Sequence, residues 1–388
     1  MRRVHETETN LSSGFELGPI RPPSEAFSLL VRVTRNCPWN KCLFCHCYKG
    51  TAFSLRSVEE IVHDIDQAAA MRDYIVEASH NQGYGGDVRQ AAATLLSQPY
   101  GDPCLRNVAL FLYAGGVSAF LQDSNSLIMR TPDMIAALNH LYSRFPDLER
   151  VTTYSRSHTA AHKTLEELKE IREAGLVRVH IGLESGYDPL LDYIQKGTTA
   201  AQQVSAGQKL VEAGFSVSEY VMPGLGGQAM AEGHMVETAR VLNEINPAFI
   251  RFRSLHVTPT MLLWDRVQDG SFLLQSEDAV VKEIKGIIER LDVTSHLKSD
   301  HILNLLMELE GQFPEAKPAC LAIINEYLAL PDDERLNFQL GRRMGLYETL
   351  SDLQDTDRFN RVAEGIQRIQ ERGESVEEVT RRLKDRFI

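Results

Sequence analysis

A parallel α/β architecture, a partial (β/α)6 TIM-like barrel with a helical C-terminal region, is the fold class this sequence predicts. Three observations predict it. Six β-like apolar runs recur: Leu29–Thr34, Val108–Tyr113, Val151–Ser155, Val177–Leu183, Phe215–Met222 and Ala248–Leu255. Helical patterns fill the intervals, and strand–helix alternation calls for a parallel sheet with right-handed crossovers. From about Glu277 the strand patterns stop, while Ile302, Leu305, Leu306 and Leu309, then Val376, Val379 and Leu383, fall at helical spacing. Six units are fewer than the eight of a closed barrel. A doubly wound open sheet is the alternative, because strand order leaves no trace in the sequence.

Residues 1–27 are a polar, irregular lead-in with prolines at 19, 22 and 23. Residues 28–276 carry the barrel units and 277–388 the helical region. Within the barrel, Ser57 and Glu60 form a capping box ahead of Val58, Ile61, Val62 and Ile65. Segment 77–107, with its Gly83–Gly86 turn, adds a helix or loop before the second apolar run. Thr131 and Pro132 open a helix through Ile135, Leu138, Leu141 and Tyr142. Thr164 with Glu167 starts another that Gly175 stops, and Gly214 ends the next.

Composition narrows the class. The 388 residues are 43% hydrophobic and 24% charged, ordinary for a packed domain. No apolar run approaches the roughly 20 residues that span a bilayer, and no apolar stretch follows Arg2 and Arg3 as a secretory signal requires. A net charge of −12 argues against a nucleic-acid backbone as the main partner. Six cysteines, four of them clustered, fit a reducing cytoplasm better than a disulfide framework.

That cluster is the sharpest motif. Cys37, Cys42 and Cys45 lie in one run, Cys37-Pro38-Trp39-Asn40-Lys41-Cys42-Leu43-Phe44-Cys45, with His46 and Cys47 behind. Three thiolates can hold an iron–sulfur cluster and leave one iron open, whereas four-cysteine sites fill every iron. Structural zinc is the competing use, yet zinc usually draws two ligand pairs and no second Cys-x-x-Cys exists here. Cys104 and Cys320 are isolated and read as small buried apolar residues. The run begins where the first strand ends, and parallel α/β folds gather reactive groups at carboxyl ends of strands. Other residues expected at such ends are Asp123, Ser124 and Asn125, Ser155 and Arg156, Glu184, the Pro223–Gly227 turn, and His256.

With these residues the chain resembles radical S-adenosylmethionine (SAM) enzymes, in the branch of oxygen-independent coproporphyrinogen oxidases, methylthiotransferases and elongator-type catalytic domains. The usual signature is C-x3-C-x2-C with an aromatic before the last cysteine. This chain has C-x4-C-x2-C, with Phe44 at the aromatic position. The resemblance implies that Cys37, Cys42 and Cys45 hold a [4Fe–4S] cluster whose fourth iron is chelated by SAM. It places Phe44 beside the adenine and Glu184 at the ribose hydroxyls, and it pairs Lys196 with the SAM carboxylate. Leu112–Gly116 with Asp123, Ser124 and Asn125 occupies the region of the Gly-Gly-Glu segment, which is itself absent; Ser155 joins the cofactor-binding set. The implied activity is reductive cleavage of SAM to a 5′-deoxyadenosyl radical that abstracts hydrogen from an unidentified small organic or biosynthetic substrate. A low-potential donor of flavodoxin or ferredoxin type would supply the electron. An RNA-modifying enzyme and a non-enzymatic iron–sulfur or heme-handling protein are the other readings. No catalytic acid or base stands out; His301, Arg342 and Arg343 are candidate substrate contacts, with structural or solvent-facing roles as the alternative.

Overall fold

The computed structural model describes residues 14–99 and 101–387, so residues 1–13 of the expected lead-in lie outside it. Ten strands follow in chain order: β1 Leu29–Arg32, β2 Thr34–Arg35, β3 Ser54–Leu55, β4 Ser118–Gln122, β5 Arg150–Ser155, β6 Leu176–Glu184, β7 Ser216–Val221, β8 Phe249–Phe252, β9 His296–Lys298 and β10 Glu310–Gln312. Eight make one sheet in the order β1-β4-β5-β6-β7-β8-β9-β10, and β2 pairs with β3. A doubly wound sheet reverses its strand order at a switch point. This order never reverses, as in a barrel wall.

The chain forms two compact units. The first runs to Asn40 and adds Cys47–Ile181 and Lys209–Val217; the second holds Lys41–His46, Gly182–Gln208 and the chain from Ser218. In the first unit β1 pairs parallel with β4, β4 with β5, and β5 with β6. Its helices start where sequence chemistry says they should. Ser57 accepts from Glu60 N–H at 3.2 Å while the Glu60 carboxylate accepts from Ser57 N–H at 2.8 Å, opening helix Val58–Asn81. Thr164 and Glu167 do the same for Leu165–Glu173, and Gly175 ends that helix at φ +107°, where a side chain would strike Tyr142.

Three expectations need correction. Val108–Tyr113 is the second half of helix Pro103–Tyr113, and the strand expected there is β4, five residues further on. A short run of consecutive apolar residues carries no period to tell strand from helix. The deciding signals were Asp102, which accepts from Leu105 N–H, and Pro103 in the first turn. In consequence Leu112–Gly116 precedes β4 and lies at the end of the strand opposite Asp123.

The second unit continues with β7, β8 and β9 parallel and β10 antiparallel to β9. Strands therefore do not stop at Glu277: β9 and β10 interrupt the helical region, and Ile302–Leu309 is turns and loop, not helix. Each of these strands has only three residues, too few to show alternation. Helices Glu277–Arg290, Lys317–Ala329, Asp332–Arg343, Thr356–Glu371 and Val376–Leu383 supply the helical character expected there. Leu183, Val221, Ile250 and Phe252 share one buried cluster with Ile287, Ile324, Tyr327, Phe338 and Tyr347. Among the described residues no helix is long and apolar enough to cross a membrane.

Candidate functional site

The cysteine run lies in the excursion between β2 and β3, whose antiparallel register pairs Thr34 with Leu55 and Arg35 with Ser54. Cys37 belongs to the first unit, Cys42 and Cys45 to the second. All three are thiols of intermediate burial, and Cys104 and Cys320 are buried as expected. The Cys37 sulfur accepts from Asn40 N–H at 3.4 Å. Cys45 N–H donates to Cys42 O at 3.4 Å, and both side chains pack on an apolar cluster with Leu43, Phe44 and Leu263. Three free thiols, one of them with a backbone N–H donor on its sulfur, suit an iron–sulfur cluster in donor chemistry. Among the described residues no three His, Cys, Asp or Glu side chains stand together as a metal-holding group.

In the first unit Asp123, Ser124, Asn125 and Ser155 come together at the ends of β4 and β5. Their polar atoms are taken by the chain itself. Asp123 is fully buried. Its Oδ2 accepts from Arg32 at 2.7 and 3.0 Å and from Asn36 N–H at 2.9 Å, and its Oδ1 accepts from the Tyr48 hydroxyl. Ser124 donates to Asn36 O at 3.0 Å. Asn125 Oδ1 accepts from Arg156 N–H at 3.0 Å and from Ser155 at 3.2 Å. The Arg156 guanidinium lies 5.0 Å from the Trp39 ring centre, a cation–π contact onto the cysteine run.

In the second unit Phe44, Glu184 and Lys196 come together. Leu43 N–H donates to Ile194 O at 3.0 Å and Leu43 O accepts from Leu263 N–H at 2.9 Å, which fixes the backbone beside Phe44. Lys196 Nζ pairs with Glu184 Oε1 at 3.0 Å, both side chains nearly buried, and stands 5.6 Å from the Phe44 ring centre. A side chain at Gly182 would meet the Glu184 carboxylate and come within 3.0 Å of Lys196 Nζ, so glycine there leaves room for the pair as it lies. The Pro223–Gly227 turn is tied down internally: Glu283 Oε1 accepts from Gly224 N–H at 2.7 Å.

Sequence reading missed Glu219. This β7 carboxyl is 1% exposed, its Oε2 has no partner, and its pKa is raised well above 4.5. Burial is the main cause; the Glu184 charge adds to it and the Lys196 charge opposes it. The signal was available, because Val217, Glu219 and Val221 share one face of β7 and both valines are fully buried. A raised folded pKa means the native state keeps a proton that the unfolded chain has released above pH 4.5. Stability therefore falls as pH rises from 4.5 toward the folded pKa, by up to about 1.4 kcal/mol per pH unit for one proton. Glu219→Gln, which cannot ionise, is expected to flatten that slope and to be more stable than wild type at pH 8. Urea midpoints from pH 4.5 to 8.5 check it; parallel wild-type and variant curves would refute the protonated state.

The remaining candidates have structural employment. Arg342 and Arg343 are 3% and 2% exposed. Arg342 donates to Leu305 O and Tyr347 O at 3.0 and 2.6 Å; Arg343 donates to Ile302 O and Leu303 O, each at 3.0 Å, and to Glu277 at 3.1 Å. They are neither a carboxylate clamp nor solvent-facing. Burial would raise the Glu277 pKa, but Lys384 and Arg343 bring it down to about 2. His301 is pushed down to about 4 by burial and by the Arg253 and Arg343 charges, so it is neutral at pH 7. His256 bonds Asp385 at 2.7 Å through Nε2.

Comparison with known proteins shows a likeness to one class over part of the chain. Residues 112–239 match the model of the Radical SAM superfamily. Over this span the chain is similar to radical SAM domains, the class whose cofactors are a [4Fe–4S] cluster and SAM. The matched span begins beyond the cysteine run. The chain is 23% identical over 139 residues to a tRNA uridine(34) acetyltransferase of Methanocaldococcus jannaschii, 35% of this chain and 26% of that protein. It thus spans about a quarter of the curated relative. Among solved structures, coproporphyrinogen III oxidase (HemN) from Escherichia coli aligns at TM-score 0.43 and 16% identity, over 68% of this chain and 51% of that one. The Methanocaldococcus infernus Elp3 lacking its N-terminus aligns at TM-score 0.41 and 15% identity, over 51% and 53%.

Proposed function

We propose that Cys37, Cys42 and Cys45 hold the [4Fe–4S] cluster, that Phe44, Glu184 and Lys196 bind SAM, and that the enzyme acts on a small organic or biosynthetic substrate. The observation that carries this is the thiol run joined, through Phe44, to the Lys196–Glu184 pair: Phe44, between Cys42 and Cys45, lies 5.6 Å from the ammonium that pairs with Glu184. When bound at Cys37, Cys42 and Cys45, the cluster would supply one-electron reductive chemistry toward SAM and, through it, hydrogen abstraction. The chain's own residues bind and orient. Lys196 offers its ammonium to the methionyl carboxylate while Glu184 keeps it in place and accepts from ribose hydroxyls. The apolar cluster of Leu43, Phe44, Leu225, Met261, Leu263 and Phe272 excludes water behind Cys42 and Cys45. Iron would gather the thiols, since metal binding and local folding are coupled. Asp123, Ser124, Asn125 and Ser155 act inside the chain in this reading. A low-potential flavodoxin or ferredoxin donor and a reducing, cytoplasmic setting go with it.

Anaerobic reconstitution followed by dithionite and SAM tests the reading. About four irons per chain, as in an intact [4Fe–4S] cluster, with 5′-deoxyadenosine released is the expected result. SAM left intact by the reduced, iron-loaded chain would favour an iron–sulfur carrier on the same scaffold. A second reading, an RNA substrate, is favoured by the 139-residue likeness to tRNA uridine(34) acetyltransferase. Salt-dependent tRNA binding would support it, and its absence would leave the small-molecule reading.

A further inference from the structure

We propose that Asp123 is a positioning residue that staples the cysteine turn at both ends, holding its entrance at Asn36 and its exit at Tyr48 in a fixed frame. The inference rests on the reading that this turn carries the cluster. Asn36 immediately precedes Cys37, and Tyr48 immediately follows Cys47. One buried carboxylate therefore takes a backbone N–H from one side of the four clustered cysteines and a hydroxyl from the other.

The surrounding bonds make the frame specific. Ser124 donates to Asn36 O at 3.0 Å, Asn40 Nδ2 to Tyr48 O at 2.5 Å, and Lys49 Nζ to Asn40 O at 2.8 Å. Asn36 and Asn40 sit at φ +69° and +49°, left-handed conformations that asparagine tolerates better than most side chains. The carboxylate is anchored by Arg32 of β1, which also donates to Glu16 at 2.8 Å and to Asn36 Oδ1 at 3.2 Å. The staple thus ties a mobile class of structure, a loop, to two strands of the sheet. A turn whose ends are already fixed has less freedom to lose when iron gathers its thiols. That is a reason for spending a buried charge here.

The test uses the full chain, wild type beside Asp123→Asn and Tyr48→Phe. Three quantities are read: iron release to a chelator after anaerobic reconstitution, trypsin cleavage at Lys41 and Lys49 in the iron-free chain, and the overall melting curve. Removing outer-shell partners commonly weakens metal sites about 10–100-fold. Both variants are expected to release iron at least about 10-fold faster and to be cut faster in the turn, with Tyr48→Phe still melting cooperatively and within a few degrees of wild type. If Asp123→Asn does not fold, Tyr48→Phe decides, since it removes one hydroxyl and no charge. Variants that hold iron and resist cleavage like wild type would overturn the staple. A wild-type chain that takes up no iron would instead overturn the cluster reading, while turn cleavage would still decide the staple.

Discussion

Replacing Cys42 with alanine is expected to drop the iron retained after anaerobic reconstitution from about four per chain to below about one, and to abolish 5′-deoxyadenosine release. The expectation follows from donor number: a [4Fe–4S] cluster held by three thiolates has no spare protein ligand. Cys104→Ala is the matched control. Its thiol is buried, accepts from Phe15 N–H at 3.3 Å and donates to Phe15 O at 3.0 Å, remote in sequence from the run. Losing it should cost about 1 kcal/mol of stability and no iron. Full iron content in Cys42→Ala would remove Cys42 from the ligand set, and equal iron loss in both variants would point to general unfolding.

Lys196→Met is expected to have the largest effect on stability. Lys196 and Glu184 are 11% and 13% exposed and lie 3.0 Å apart, with the buried Glu219 carboxyl near both. Removing one partner of such a pair strands a buried charge, at a cost of roughly 3–5 kcal/mol. Lys196→Met combined with Glu184→Gln should recover much of it, because no charge is then left uncompensated. Urea midpoints of the variants decide the matter; a Lys196→Met midpoint equal to wild type would show that solvent, not Glu184, satisfies the lysine.

The features legible in the sequence were those set by local chemistry. Ser57–Glu60 and Thr164–Glu167 marked helix starts because a capping box needs only four residues. Strands β5, β6, β7 and β8 were found because their runs are long or rich in β-branched and aromatic residues. Helix Pro103–Tyr113 was misread as a strand because six consecutive apolar residues have no period, and β4 was hidden by its two polar ends, Ser118 and Gln122. The site divides the same way. Cys37, Cys42 and Cys45 announce themselves by spacing. Asp123 could be placed at a strand end but not given its task, because Arg32, Asn36 and Tyr48 are brought to it only by long-range folding. Arg342 and Arg343 were legible only as candidate anion contacts or solvent-facing charges; the carbonyls of Ile302, Leu303 and Leu305 occupy them.

The shared cluster of the second unit bears on how the protein can be cut for study. Phe252 and Val221, from the strands, pack in the same interior as Tyr327 and Tyr347, from far along the chain. A fragment trimmed to the superfamily match at 112–239 would strip β7 of its neighbour and leave oily faces in water. Soluble expression should therefore demand the carboxyl-terminal helices, however little they resemble the part that names the class.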